Sequence, residues 1–218
     1  MPKVATRSLR ARAVCALALL GLAQGSARAA STSQELDLVL ERTPDPARGA
    51  KLYETCAACH GPRGEGVSDG SVPAIGGQPF TVVAKQLVDF RIGGRFDPRM
   101  QHFSDTAHLA YSQDVADVAI YISRLPPRQV PLQSSSPAAD RGAVLYVRRC
   151  KRCHGSRGEG KADQFVPRLA GQHAAYIIRE LTELPSEARP TIKQAHGDIA
   201  TYLSHQEIAA LAACLSQL

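Results

Sequence analysis

Apolar residues recur at helical spacing through most of the chain, and nowhere do they alternate with polar ones over a strand's length. Phe80 to Ile92 (FTVVAKQLVDFRI) and Ala175 to Leu184 place apolar side chains three and four apart, which predicts two amphipathic helices. Ser112 to Leu125 (SQDVADVAIYISRL) opens with a capping residue and two acids. Ser204 to Leu218 (SHQEIAALAACLSQL) opens with Ser204 and Glu207 at capping-box spacing. Asp45 to Thr55 reads as a further short helix, because Asp45-Pro46 puts proline in the first turn, where its missing N–H costs nothing. The glycine-rich stretches at 61–66 and 155–160 read as loops. Neither sits between a strand and a helix, so a phosphate-binding loop is excluded. The pattern predicts an all-α protein.

It also occurs twice. Arg48-Gly-Ala-Lys-Leu-Tyr53 is matched by Arg141-Gly-Ala-Val-Leu-Tyr146, His60-Gly-Pro-Arg-Gly-Glu-Gly66 by His154-Gly-Ser-Arg-Gly-Glu-Gly160, and Val72-Pro73-Ala-Ile-Gly-Gly-Gln78 by Val166-Pro167-Arg-Leu-Ala-Gly-Gln172. Residues 126–138 are rich in Pro and Ser with no helical period, the composition of a semi-extended linker. The expected organisation is one domain over 30–125 and a duplicate over 139–218, each small enough to bury only a modest core.

The chain has 218 residues, 26 basic against 20 acidic, with a pI near 9.1. Five of those positive charges (Lys3, Arg7, Arg10, Arg12 and Arg28) lie within residues 1–29, which hold no acid. The same segment carries a short apolar run, Val14 to Ala23, and small residues at Ala27-Arg28-Ala29, the layout of a cleaved signal peptide. The run is about half of the ~20 residues a membrane span needs, which argues against a retained anchor. Without the segment the balance is 21 basic to 20 acidic, so nucleic acid is not an expected partner. A periplasmic location is expected.

Five cysteines then remain, and four of them fall in Cys56-Ala-Ala-Cys59-His60 and Cys150-Lys-Arg-Cys153-His154. CxxCH is the attachment signature of c-type haem: each thiol forms a thioether to a vinyl group and the adjacent histidine is the proximal iron ligand. Disulfides would not need a histidine after each second cysteine, nor would a zinc site, and a thioredoxin-like CxxC would need a βαβ pattern. Two covalently bound haem c groups are expected, held by Cys56, Cys59, Cys150 and Cys153, with His60 and His154 as metal ligands.

On these motifs, the downstream proline loops and the C-terminal helices, the chain resembles the cytochrome c family, in particular its two-domain, dihaem members of the cytochrome c4 type. The resemblance implies two tandem all-α cytochrome c-like domains related by a pseudo-twofold axis, each enclosing one covalent haem. It implies export, electron transfer with redox-protein donors and acceptors such as a terminal oxidase, and room for peripheral membrane association. It also implies that a loop carbonyl near Pro73 and Pro167 accepts a hydrogen bond from each proximal histidine.

The distal ligands separate the halves. Met100 is the only methionine outside residues 1–29, and it lies 40 residues after His60, where the family places its thioether ligand. The second half has no methionine. Counting forward from the haem motif puts Gln194 opposite Met100, and counting back from the last helix puts Lys193 there. Lys193 and His196 stand level as nitrogen ligands, with an open iron as the remaining option. His102, His108 and His173 read as structural, His205 as first-turn surface, Cys214 as a buried thiol, and Arg95 and Arg189 as candidate propionate partners or solvated surface. The mature halves carry 10 basic to 12 acidic and 11 basic to 8 acidic residues, and Arg148, Arg149, Lys151 and Arg152 cluster at the second motif. Paired carboxylates or a nucleophile motif for stand-alone catalysis are not found. A carrier is expected first, the electron-accepting subunit of an oxidoreductase such as one oxidising thiosulfate second, and a small-molecule-binding haem protein third.

Overall fold

A computed structural model describes residues 34–131, 134–184, 196 and 202–218. The leader at 1–29, Lys193 and Arg189 lie outside these. Among the described residues there is no strand, only one isolated bridge between Lys161 and Val166. The helices are α1 (34–40), α2 (Pro46–His60), α3 (Phe80–Arg91), α4 (Pro98–Ser104) and α5 (Ser112–Arg124) in the first half. The second half has α6 (Pro137–Arg149), α7 (Lys151–His154), α8 (Ala174–Glu183) and α9 (His205–Leu215).

The helix that ends in each CxxCH motif or just before it packs across the last helix of its half: α2 across α5, and α6 across α9. Val39, Tyr53, Ala84, Val88, Val115 and Val118 are in one core; Tyr146, Ile177, Leu211, Ala212 and Leu215 form the other. The crossings need glycine for closeness, not for backbone freedom. A Cβ on Gly49 would lie 2.0 Å from the Asp117 carbonyl oxygen, and one on Gly142 the same distance from that of Ala210. Cys214 is buried at the second crossing, as expected, with burial pushing its thiol pKa up.

The predicted helix over 45–55 continues to His60. Nothing in Cys-Ala-Ala-Cys-His breaks it, and it stops at Gly61, whose φ is +79°. In the second half the corresponding helix is interrupted: α6 ends at Arg149, Cys150 adopts φ −115° and α7 restarts at Lys151. The cause is one extra residue. Gly49 and Gly142 are 93 positions apart, but Cys56 and Cys150 are 94 apart. Breaking the helix at Cys150 absorbs the insertion and leaves both the crossing and the motif in place. Helix α4 was not predicted, although Asp97-Pro98 repeats the Asp45-Pro46 start signal; Asp97 caps it by accepting from the Arg99 and Met100 amides. At α5 the N-cap is Tyr111, one residue earlier than expected, with its N–H donating to Asp114 at 2.9 Å.

The halves meet through their proline loops. Gln78 donates to the Arg168 carbonyl (2.8 Å) and accepts from the Arg168 amide (3.0 Å). Gln172, its repeat counterpart, makes the same two bonds to Ala74, at 2.8 and 2.9 Å. The contact is therefore reciprocal, as a pseudo-twofold relation requires. Around it Arg95 pairs with Glu180 at 2.9 Å, and the His173 ring approaches the Glu65 carbonyl at 2.8 Å. From the linker Arg128 donates to the Gly171 carbonyl at 2.6 Å, so residues 126–131 bridge the two halves.

Candidate functional site

Each CxxCH motif ends its helix with a histidine turned inward. His60 is 6 % exposed and its Nδ1 lies 3.0 Å from the Pro73 carbonyl oxygen; His154 is 8 % exposed and its Nδ1 lies 3.1 Å from that of Pro167. A carbonyl only accepts, so Nδ1 carries the proton and Nε2 keeps its lone pair. Burial lowers the pKa of both rings, outweighing the carbonyl bond that raises it, and so favours the neutral form that ligates a metal.

The carbonyl is held in place by the glycine loop. Gly66 N–H donates to the His60 carbonyl at 2.8 Å, and a Cβ on Gly66 would come within 2.5 Å of the Val72 carbonyl oxygen and 2.6 Å of Pro73. Gly160 repeats this against His154, Val166 and Pro167. At φ near +70° and +78° these positions also suit glycine conformationally. Tyr53 and Tyr146 brace the motifs from below, their hydroxyls donating to the carbonyls of Gly61 (2.7 Å) and Gly155 (2.6 Å). The insertion beside Cys150 leaves this bond intact.

None of Cys56, Cys59, Cys150 and Cys153 is in a disulfide. Cys56 and Cys150 are half-buried, and burial pushes each thiol up to about 11; Cys59 and Cys153 are exposed. Two thiols one helical turn apart, beside a buried neutral imidazole with an uncommitted ring nitrogen, fit covalent haem c in both halves.

In the first half, Met100 on α4 packs against the core cluster that also receives Cys56, Ala57 and Ile75. Ser104 donates its hydroxyl to the Met100 carbonyl at 2.6 Å, fixing that turn. In the second half the structure brings the His196 ring to a centroid distance of 6.2 Å from His154, with 31° between the ring planes. His205 is exposed in the first turn of α9 and His173 is buried in the contact between halves, both as expected. Arg95 is committed to Glu180, the Tyr176 hydroxyl and the Phe90 ring instead of standing open for a propionate. Sequence reasoning missed Gln78 and Gln172. Both stood in the repeat, but their partners are backbone groups that only the tertiary arrangement brings near.

The folded halves with their paired motifs define a haem-carrying helical protein, and the chain belongs to the cytochrome c family, whose pattern matches residues 46–126 and again 139–218. More narrowly, it is similar to cytochrome c4 of Azotobacter vinelandii, at 30 % identity over 202 residues covering 80 % of this chain and 89 % of that one. It is 31 % identical over 195 residues to the thiosulfate dehydrogenase electron acceptor of Stutzerimonas stutzeri, covering 80 % and 88 %. The crystal structure of reduced recombinant cytochrome c4 from Pseudomonas stutzeri superposes with a TM-score of 0.70 at 26 % identity, covering 81 % of this chain and all of that one. Two covalent haem c groups and electron transfer follow for this chain. Among the described residues, no helix is long and apolar enough to cross a membrane.

Proposed function

We propose that the chain is exported to the periplasm, loses residues 1–29, and carries electrons between two protein partners through haem sites of unlike ligation. The domains run over 30–125 and 139–218, joined by 126–138. When bound, the haem irons supply one-electron couples; the protein fixes their ligands and covers them. His60 and His154 are the proximal ligands, each oriented by its proline carbonyl, which raises ring basicity and thereby tunes the couple. Met100 is the distal ligand of the first site, and a thioether there favours ferrous iron.

The observation that carries the asymmetry is the His154–His196 pair. The two rings lie at 6.2 Å, and His154 and His196 would hold a metal between them if each bond were ~2.0 Å, a spacing of roughly 6.3 Å between ring centroids. This supports His196 over Lys193 as the distal ligand. Two imidazoles hold the ferric state better than imidazole and thioether do, so the second site is the lower in potential and electrons run from it to the first. Near-infrared magnetic circular dichroism of the oxidised protein tests this. One histidine–methionine signal and one bis-imidazole signal are expected, the latter lost in His196→Ala. A high-spin second haem, or a bis-nitrogen signal that survives His196→Ala but not Lys193→Ala, would overturn the assignment.

Electron entry at the second site suits its surface. Arg148, Arg149, Lys151 and Arg152 are exposed beside Val144 and Val147, which are 52 % and 59 % exposed. A basic rim around apolar contacts fits an acidic redox partner. The likeness to a thiosulfate dehydrogenase electron acceptor supports the narrower reading that this partner is an oxidoreductase of small sulfur compounds.

A further inference from the structure

The turn after α4 gathers three side chains that the haem sites do not use. Asp105 caps the C-terminus of α4 and accepts from the Ala107 amide (2.9 Å), the His108 amide (3.2 Å) and His108 Nδ1 (2.9 Å). Its other oxygen lies 4.0 Å from His102 Nδ1. The two imidazoles stand edge to face with centroids 4.4 Å apart, and Phe103 packs against both. One donor atom from each of His102, Asp105 and His108 lies within 4.8 Å of the others.

The backbone beneath them is held from both sides by one side chain. Arg91 donates to the carbonyls of Ser104 (2.8 Å) and Leu109 (2.6 Å), is itself paired with Glu35, and is 9 % exposed. Ser104 and Leu109 are buried. The turn is thus anchored at its two ends while its polar side chains project outward: His102 is 62 % exposed, Asp105 41 % and His108 29 %. The Asp105–His108 bond by itself would make an ordinary aspartate turn. That does not explain why His102, at the surface and unconstrained by the turn, leans onto the same group.

The geometry points to a binding site for one borderline divalent transition-metal ion, Zn2+ or Cu2+, formed by His102, Asp105 and His108. Two imidazoles and one carboxylate favour such ions over Ca2+ or Mg2+, which prefer all-oxygen shells. Ligand bonds of ~2.0–2.2 Å in a four-coordinate site place two donors roughly 3.3–3.6 Å apart. The 2.9 Å between His108 Nδ1 and Asp105 and the 4.0 Å between His102 Nδ1 and Asp105 bracket that distance, and a rotation of the exposed rings closes the widest gap of 4.8 Å. His108 offers Nδ1, which already faces Asp105 at 2.9 Å; the ion takes the place of the proton shared there, and the ring keeps its proton on Nε2. Three protein donors leave a fourth position for water.

Calorimetric titration of the mature dihaem protein with Zn2+ tests the site. One equivalent is expected to bind tightly, weakened by about tenfold or more in His102→Asn and in His108→Asn and abolished in the double variant. Asp105→Asn keeps the oxygen that accepts the turn's amides but not the charge, and is expected to weaken binding without changing the haem absorption spectrum. Absence of a one-equivalent transition in the wild type would overturn the site, as would unchanged affinity in the double variant. A second readout rests on the Met100 assignment: a dication on the helix that carries Met100 favours the ferrous state, so Zn2+ raises the potential of the first haem and leaves the second unmoved. Stoichiometric uptake without that shift refutes the ligation of Met100 or its coupling to the turn, not the metal site.

Discussion

In the first half Arg48 reaches from α2 to both Asp114 and Asp117 on α5, and Asp117, fully buried, also accepts from the Asp45 amide and from Gln113, each at 2.7 Å. The equivalent positions in the second half are Arg141, Glu207 and Ala210, where Glu207 bonds to Ser204 and Ala210 has no polar atom to offer. The glycine crossings, the proline carbonyls and the tyrosine braces are nevertheless the same in both. Those shared features position a proximal histidine. The charged brace does not, and so the second half does without it. Its first helix is interrupted beside the haem motif and Ala210 stands where Asp117 does, yet His154 stands as His60 does.

Removing the brace is the strongest way to break the comparison. Asp117→Ala gives the first half the residue found at 210, strands the Asp45 amide and Gln113, and leaves Arg48 with Asp114 alone. We expect a loss of about 3 kcal/mol, allowing for the half-exposed arginine, read from denaturant unfolding of the holoprotein. A loss under about 1 kcal/mol would mean that the first half does not depend on its brace. Next come the reciprocal glutamines. Gln78→Leu and Gln172→Leu each leave two backbone groups without a partner, about 2 kcal/mol apiece, seen as faster amide exchange at Arg168 and Ala74 respectively. Gln172 is expected to cost more, because it also accepts from the His173 amide at 2.9 Å, where the first half has Pro79. An effect confined to one of the two would refute the reciprocal contact.

The smallest effect is a pH dependence in α9. Glu207 is held below the ordinary carboxylate pKa by the Ser204 amide and hydroxyl. A depressed folded value means the cap contributes above the unfolded pKa of ~4.3 and is lost as pH falls through the folded one. The protection of first-turn amides of α9 against exchange, relative to the unfolded chain, therefore falls in acid, and Glu207→Gln flattens that response. An unchanged profile in the variant would place the acid sensitivity elsewhere.

The helices over Phe80–Arg91, Ser112–Arg124 and His205–Leu215 were legible because their apolar period and caps are local. The CxxCH chemistry was legible because covalent spacing leaves few alternatives. The break at Cys150 was encoded as a slip from 93 to 94 in the repeat, but its effect depends on the Gly142 crossing, which is tertiary. The choice between Lys193 and His196 had no periodicity to guide it, and the proposal for His196 rests on the approach of its ring to that of His154. His102 and His108 read as structural because neither is adjacent to a metal-like motif. The carboxylate that joins them lies between them in sequence, where an ordinary turn residue is equally expected.

The four hydrogen bonds of Gln78 and Gln172 are made to main-chain atoms, so they are indifferent to whether residue 74 is alanine or residue 168 arginine. Two unlinked copies of either half could form them with themselves, in the isologous manner of a homodimer. The tether over 126–138 therefore contributes effective concentration beyond the contacts that Arg128 makes with the second half. Each half inherits its docking partner from its own duplication, and is free to diverge at its distal face as long as one glutamine stays.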